Sequence, residues 1–192
     1  MKTQEHCQKC RQKAYFEGFC ERCFCEVIEK RVRKHVRLSA LIKKNDVLVV
    51  EHPLVAYFIK SIVQDMPVTI LKTMPDETGD GKTTKQVLAW TMDNELDAFL
   101  DQIFAGKDLV VEAQKEHEQN TQQIKLLVTL TDKEAEMFAQ AKQIEPLPKK
   151  TRKYEALLQQ LEQKHQETRY SLMKSVEELK RILNKNHNKK DS

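Results

Sequence analysis

The chain has 192 residues, 32% of them charged and 40% hydrophobic, enough to bury one sizeable core and carry a small appended module. No apolar run reaches the roughly 18 residues a membrane span needs, and residues 1–6 contain no apolar signal region, so no membrane partner and a reducing, cytoplasmic location are expected. The net charge of +4 is unevenly distributed, with +7 in residues 1–44, −7 in residues 45–117 and +4 in residues 118–192, which suits a polyanion approached through the two ends.

Two Cys-x-x-Cys pairs open the chain: Cys7 with Cys10, and Cys20 with Cys23. Two residues between thiolates let the backbone amides turn toward the sulfurs, and Gly18 in the intervening segment supplies a tight turn. The expected product is a closed four-thiolate zinc site that holds the fold and catalyses nothing, because no position is left open for water. Cys25 is a spare thiol that could replace Cys23, and His6 lies beside Cys7 without being needed in a complete set.

After Cys23 the pattern becomes helical, with Phe24, Val27, Ile28, Val32 and Val36 on one stripe. Lys30, Arg31, Arg33, Lys34 and Arg37 crowd the remaining surface and are the candidate phosphate contacts of a nucleic-acid-binding helix. Residues 1–44 are expected to form this finger and helix as one domain.

Residues 46–50 read as a buried strand, followed by Pro53 at a helix start and apolar Leu54, Val55, Phe58, Ile59, Ile62 and Val63 at helical spacing. Residues 67–71 restore a β-branched run, so a strand–helix–strand unit with parallel strands is predicted. The loop at residues 75–83 ends in Gly81-Lys82-Thr83, but Asp76 stands where a phosphate-binding loop needs glycine, and a strand rather than a helix follows. That third strand is expected over residues 85–90. Asp93 then looks like the cap of a helix that buries Leu96, Phe99, Leu100, Ile103 and Phe104 and stops at Gly106.

Residues 108–113 suggest a brief strand, 115–123 a polar loop or exposed helix, and 124–130 an apolar segment that crosses or edges the sheet. Thr131 with Glu134 forms a capping-box pattern ahead of Ala135, Phe138, Ala139 and Ile144. Two further amphipathic helices carry Tyr154, Leu157, Leu158 and Leu161, then Leu172, Val176, Leu179 and Leu183. The fold class is therefore α/β, with a small parallel sheet flanked by helices over residues 45–183 and a basic, disordered tail at 184–192.

Several of these stretches together resemble the PP-loop ATP pyrophosphatases that 2-thiolate tRNA. The paired cysteines and basic helix of residues 7–37 are similar to that group's amino-terminal zinc finger. Thr91-Met92-Asp93-Asn94-Glu95 is similar to its His-x-x-Asp-Asp helix start, residues 124–138 to the segment before a late helix, and residues 168–175 to a further element. The resemblance implies a Rossmann-like sheet and a role in tRNA thiolation.

The sequence departs from that pattern at two decisive places. Active members end their first strand in Ser-Gly-Gly-x-Asp-Ser, whose amides hold the ATP pyrophosphate, whereas this chain has Glu51-His52-Pro53-Leu54-Val55-Ala56. All five cysteines lie in residues 7–25, so the later catalytic cysteines are missing. The resemblance thus implies a shortened, degenerate, non-catalytic subunit that binds tRNA, or that partners an active thiolase or a second copy of itself. Glu51, His52, Pro53 and Asp93 would mark the relic of the nucleotide site. Two alternatives stand beside it: a zinc-stabilised protein–protein adaptor, and a small-ligand enzyme using His52 and Asp93, with Glu95 as a second carboxylate.

Overall fold

The computed structural model describes residues 5–75, 83–106, 121–165 and 167–187. It divides into two compact units, one comprising Met1–Thr91 with Thr121–Pro148, the other Met92–Asn120 with Lys149–Ser192.

The first unit contains the sheet. Helix α1 (Glu21–Leu38) follows the finger, then β1 (Val47–Val49), α2 (Pro53–Ile62), β2 (Thr69–Leu71), β3 (Thr84–Thr91), β4 (Thr121–Leu127) and α4 (Asp132–Ala141). The four strands lie in the order β2-β1-β3-β4 and every pairing is parallel. Val47 and Val49 of β1 pair with Thr69 and Leu71 on one side and with Thr84 and Gln86 on the other, so the chain leaves the β1–β3 centre in both directions. The strand–helix–strand unit read from the sequence is present as β1–α2–β2. β2 is more exposed than its β-branched run suggested, with Ile70 37% accessible, because it is an edge strand.

The finger and the sheet share one core. Phe24, Cys25, Ile28, Val32 and Val36 of α1 pack in one cluster with Leu48, Leu54, Phe58, Val87, Ile124, Leu126 and Phe138. Phe58 and Phe138 stack at 4.8 Å between ring centroids. The expected boundary at residue 44 therefore falls inside a packed body: β-branched and aromatic residues at helical spacing on α1 bury against the domain they were thought merely to precede. Behind β1, Lys85 and Asp46 form a fully desolvated ion pair at 2.8 Å, completed by the Leu41 carbonyl, which accepts from Lys85 Nζ, and by the Lys43 amide, which donates to Asp46. These extra hydrogen bonds are what allow two charges to be buried there.

α4 starts as the sequence predicts. The Thr131 hydroxyl accepts from the Glu134 amide at 3.1 Å, and the Glu134 carboxylate accepts from the Thr131 amide at 2.9 Å, a complete capping box.

The second unit is helical among the described residues: α3 (Met92–Phe104), α5 (Glu155–Lys164) and α6 (Thr168–His187). α3 begins directly at the end of β3, so Asp93 is not the cap the sequence suggested but lies in the first turn. It is 3% exposed and bound to Arg169, whose guanidinium also reaches Glu155 at 2.7 Å and Glu162 at 3.0 Å. Phe99 and Leu100 are buried, but Ile103 and Phe104 are exposed, and Phe104 instead meets the Tyr154 ring at 5.3 Å. α6 continues to His187, so residues 184–187 form its last turn rather than the beginning of the tail. The expected strand at 108–113, most of the 75–83 loop and residues 188–192 lie outside the described residues.

Candidate metal centre and basic helix face

The finger is built from two turns that face each other. Cys7 opens the first: the Arg11 amide donates to its carbonyl at 2.9 Å, the Lys9 amide approaches its sulfur at 3.4 Å, and Arg11 takes the left-handed conformation (φ 61°) that turns the chain back. The second is a two-residue hairpin in which Phe16 and Phe19 exchange backbone hydrogen bonds at 3.1 and 2.9 Å across Glu17 and Gly18. Both tip residues have positive φ (47° and 75°), the requirement of a type I′ turn, which explains Gly18. The Gln8 amide donates to the Gly18 carbonyl at 2.9 Å and ties the turns together.

Cys20 is the residue before α1, and Cys23 sits in its first turn. The sulfurs of Cys7, Cys10, Cys20 and Cys23 all lie within 4.8 Å of one another, with Cys10 at 3.4 Å from Cys20 and 3.7 Å from Cys23. Three of the four cysteines are buried, and Phe19 packs against them. Their acidities are driven apart. Burial pushes the Cys7 thiol up, but amides from Cys20, Cys10 and Lys9 outweigh it and hold the group at about 6. Cys23 is pushed up to about 12, by burial first and then by its sulfur neighbours. Four sulfurs in so small a space could hold a metal ion as thiolates, and the donor set with its inward amides fits a tetrahedral, thiophilic metal. Cys25 stands apart from the set: it is buried in the sheet core, and desolvation raises its pKa while Lys142 opposes the rise.

The finger's aromatic residues face inward. The Tyr15 hydroxyl donates to the Met137 carbonyl at 3.0 Å, Phe16 meets Phe24 edge-on at 5.2 Å, and Lys133 covers the Phe16 ring at 5.6 Å.

The candidate cations of α1 divide into two groups. Lys30, Arg33, Lys34 and Arg37 are exposed. Arg31 is not available in the same way. Its guanidinium donates to Glu134 at 2.6 Å and to the Thr129 carbonyl at 3.2 Å, and the Glu134 side chain is wholly buried. Arg31 therefore pins α1 to the start of α4 instead of reaching outward, a correction to the sequence reading. Nothing local signals this, since its partner is 103 residues away. Sequence reasoning also passed over Lys9, Arg11 and Lys13, which are exposed on the first turn of the finger; their interleaving with Cys7 and Cys10 was the available clue.

At the turn after β1, His52 caps α2. Its Nδ1 accepts from the Leu54 amide at 3.1 Å, and Pro53 occupies the first helical position with no amide to offer. Glu51 is exposed and near Gln86 at 3.5 Å. Asp93 belongs to the other unit and is committed to Arg169, while Glu95 is bound by Lys180. The two carboxylates are thus occupied by cations within the helical unit, so neither is set up as a free acid–base pair.

No protein-family profile matches the sequence, and no curated protein matches it. Among solved structures, the chain is similar to the U34-tRNA thiolase NcsA from Methanococcus maripaludis, determined with its [4Fe-4S] cluster, with a TM-score of 0.70 at 13% identity over 94% of this chain and 88% of that one. At that identity the likeness is one of fold: a parallel α/β sheet flanked by helices.

Proposed function

We propose that this chain is a non-catalytic, zinc-binding subunit of a tRNA-thiolating assembly, holding RNA and working beside an active thiolase or a second copy of itself. The observation that carries this reading is the turn after β1. A parallel sheet binds ligands at the carboxyl ends of its central strands, where the chain departs in both directions. Here that position offers a proline without an amide, a histidine that consumes the next amide, and an exposed glutamate that repels phosphate. A sheet like that of a thiolase, without a phosphate cradle, suits a partner or RNA-holding role better than ATP cleavage. With all five cysteines inside residues 7–25, no later thiol is available for a sulfur relay.

A single zinc ion is favoured over an iron–sulfur cube. Zinc–sulfur bonds of about 2.3 Å put tetrahedral ligands roughly 3.8 Å apart. The sulfur separations of 3.4 and 3.7 Å match this, whereas a [4Fe-4S] cube spreads its ligands over a larger tetrahedron. The exposure of Lys30, Arg33, Lys34 and Arg37 supports RNA contact over the adaptor alternative, which would need these side chains covered by acidic neighbours.

Two measurements test the reading. Calorimetric titration with magnesium ATP is expected to give no binding heat, and tight binding would overturn the non-catalytic assignment. Fluorescence anisotropy with labelled tRNA is expected to report salt-sensitive binding; no binding at low salt would remove the RNA role.

A further inference from the structure

Cys23, Lys30 and Arg37 are spaced seven residues apart, two helical turns, so they project from one face of α1. Arg33 and Lys34 flank that line. The sulfur cluster, and with it the finger, is therefore seated at one end of the face that carries the cations. The exposed Lys9, Arg11 and Lys13 of the first finger turn extend the charge beyond that end. Between Cys23 and Lys30 the face carries Glu26, whose carboxylate is held by Arg22 at 3.2 Å, and the finger also exposes Glu5 and Glu17. Helix α1 alone gives the track a length of roughly 25 Å.

Among the described residues of the finger and α1, this track has exposed cations but no exposed Phe, Tyr or Trp. Phe24 is 2% exposed, Tyr15, Phe16 and Phe19 are packed against the core, Phe16 is further covered by Lys133, and the ring that lies among Lys30, Arg33, Lys34 and Arg37, that of His35, is half-buried and hydrogen-bonded to the Lys125 backbone. Unpaired RNA is recognised by stacking its bases on aromatic rings, whereas an RNA duplex is recognised by its shape and its phosphates. We infer that the finger and the outer face of α1 form one continuous track for the backbone of double-helical RNA, indifferent to sequence. The inference rests on the RNA-binding role proposed above and specifies the RNA it holds.

The test uses the zinc-loaded full chain and anisotropy over a range of salt concentrations. The probes are two 20-base-pair RNA duplexes of unrelated sequence, and oligo(U) and oligo(A) of equal length. The two duplexes should bind within twofold of each other and at least tenfold more tightly than either single strand. Replacing Lys30, Lys34 and Arg37 by alanine should lower the slope of log affinity against log salt by about 3, and Lys9→Ala with Lys13→Ala by about 2. Zinc content and circular dichroism verify that these variants remain folded. Single strands that bind as tightly as duplexes, or with a base preference, would overturn the duplex inference while leaving RNA binding intact. An unchanged slope in the finger variant would overturn the continuity of the track. Absence of binding to every probe would remove the underlying RNA role as well.

Discussion

Replacing Arg31 separates a structural cation from the cations, proposed to contact RNA, that surround it in the sequence. In the folded chain its guanidinium lies 2.6 Å from a carboxylate that has no solvent exposure, and it also satisfies the Thr129 carbonyl. Removing one member of a buried ion pair costs about 3–5 kcal/mol, because the remaining charge is left without a partner. The Arg31 side chain is 32% exposed, and Glu134 keeps its capping contacts with Thr131, so water and those contacts recover part of the loss. The expected cost of Arg31→Ala is therefore about 2–3 kcal/mol. The assay is urea unfolding followed by the fluorescence of Trp90, the single tryptophan, which lies in β3 and so reports on the sheet unit. At a slope of about 2–3 kcal/mol per molar urea, the midpoint should fall by about 1 M. Arg31→Met combined with Glu134→Gln should recover much of that fall, since the stranded charge is then gone. RNA affinity of folded Arg31→Ala should stay within twofold of the parent, unlike Lys34→Ala. An unchanged midpoint together with weakened RNA binding would refute the structural assignment of Arg31.

Three other outcomes are expected. Native mass spectrometry is expected to find one zinc per chain; Cys23→Ser should abolish it, whereas Cys25→Ala should retain it and lose only about 1–2 kcal/mol from a small core vacancy. His35, whose pKa is lowered by burial against the partial support of the Lys125 carbonyl, binds fewer protons folded than unfolded. Its contribution is therefore complete above the ordinary value of 6.5 and is lost as pH falls below it, and His35→Gln should flatten the thermal stability profile in that window. In the helical unit, Arg169→Met removes the guanidinium bound to buried Asp93 and should cost about 3–5 kcal/mol, read as early loss of helical circular dichroism, with Asp93→Asn restoring part of it.

What could be read from the sequence was whatever depends on neighbours along the chain. The thiolate pairs, the buried stripe of α1, the capping box at Thr131 and the parallel β1–α2–β2 unit are each specified by spacing within a stretch no longer than that from residue 47 to residue 71. What could not be read depends on distant partners or on missing connections. Asp93 looked like a cap because an acidic residue preceding an apolar stripe usually is one; in the fold, β3 runs into α3 with no linker and the carboxylate meets Arg169, 76 residues on. Arg31 followed the same course with Glu134. β4 starts at Thr121, earlier than its apolar segment, because Gln122 and Gln123 are exposed and pair through backbone alone with Lys85 and Gln86.

The shared core of finger and sheet ties occupancy of the sulfur site to the integrity of everything behind it. Phe24 and Ile28 begin within two turns of the last sulfur ligand and end among the side chains of β1, β3 and β4. An ion lost from the knuckle would release the amino end of the helix that shields one side of the sheet. Cellular supply of that ion would then govern how much of this protein survives proteolysis, and not merely whether its cationic arm is correctly aimed.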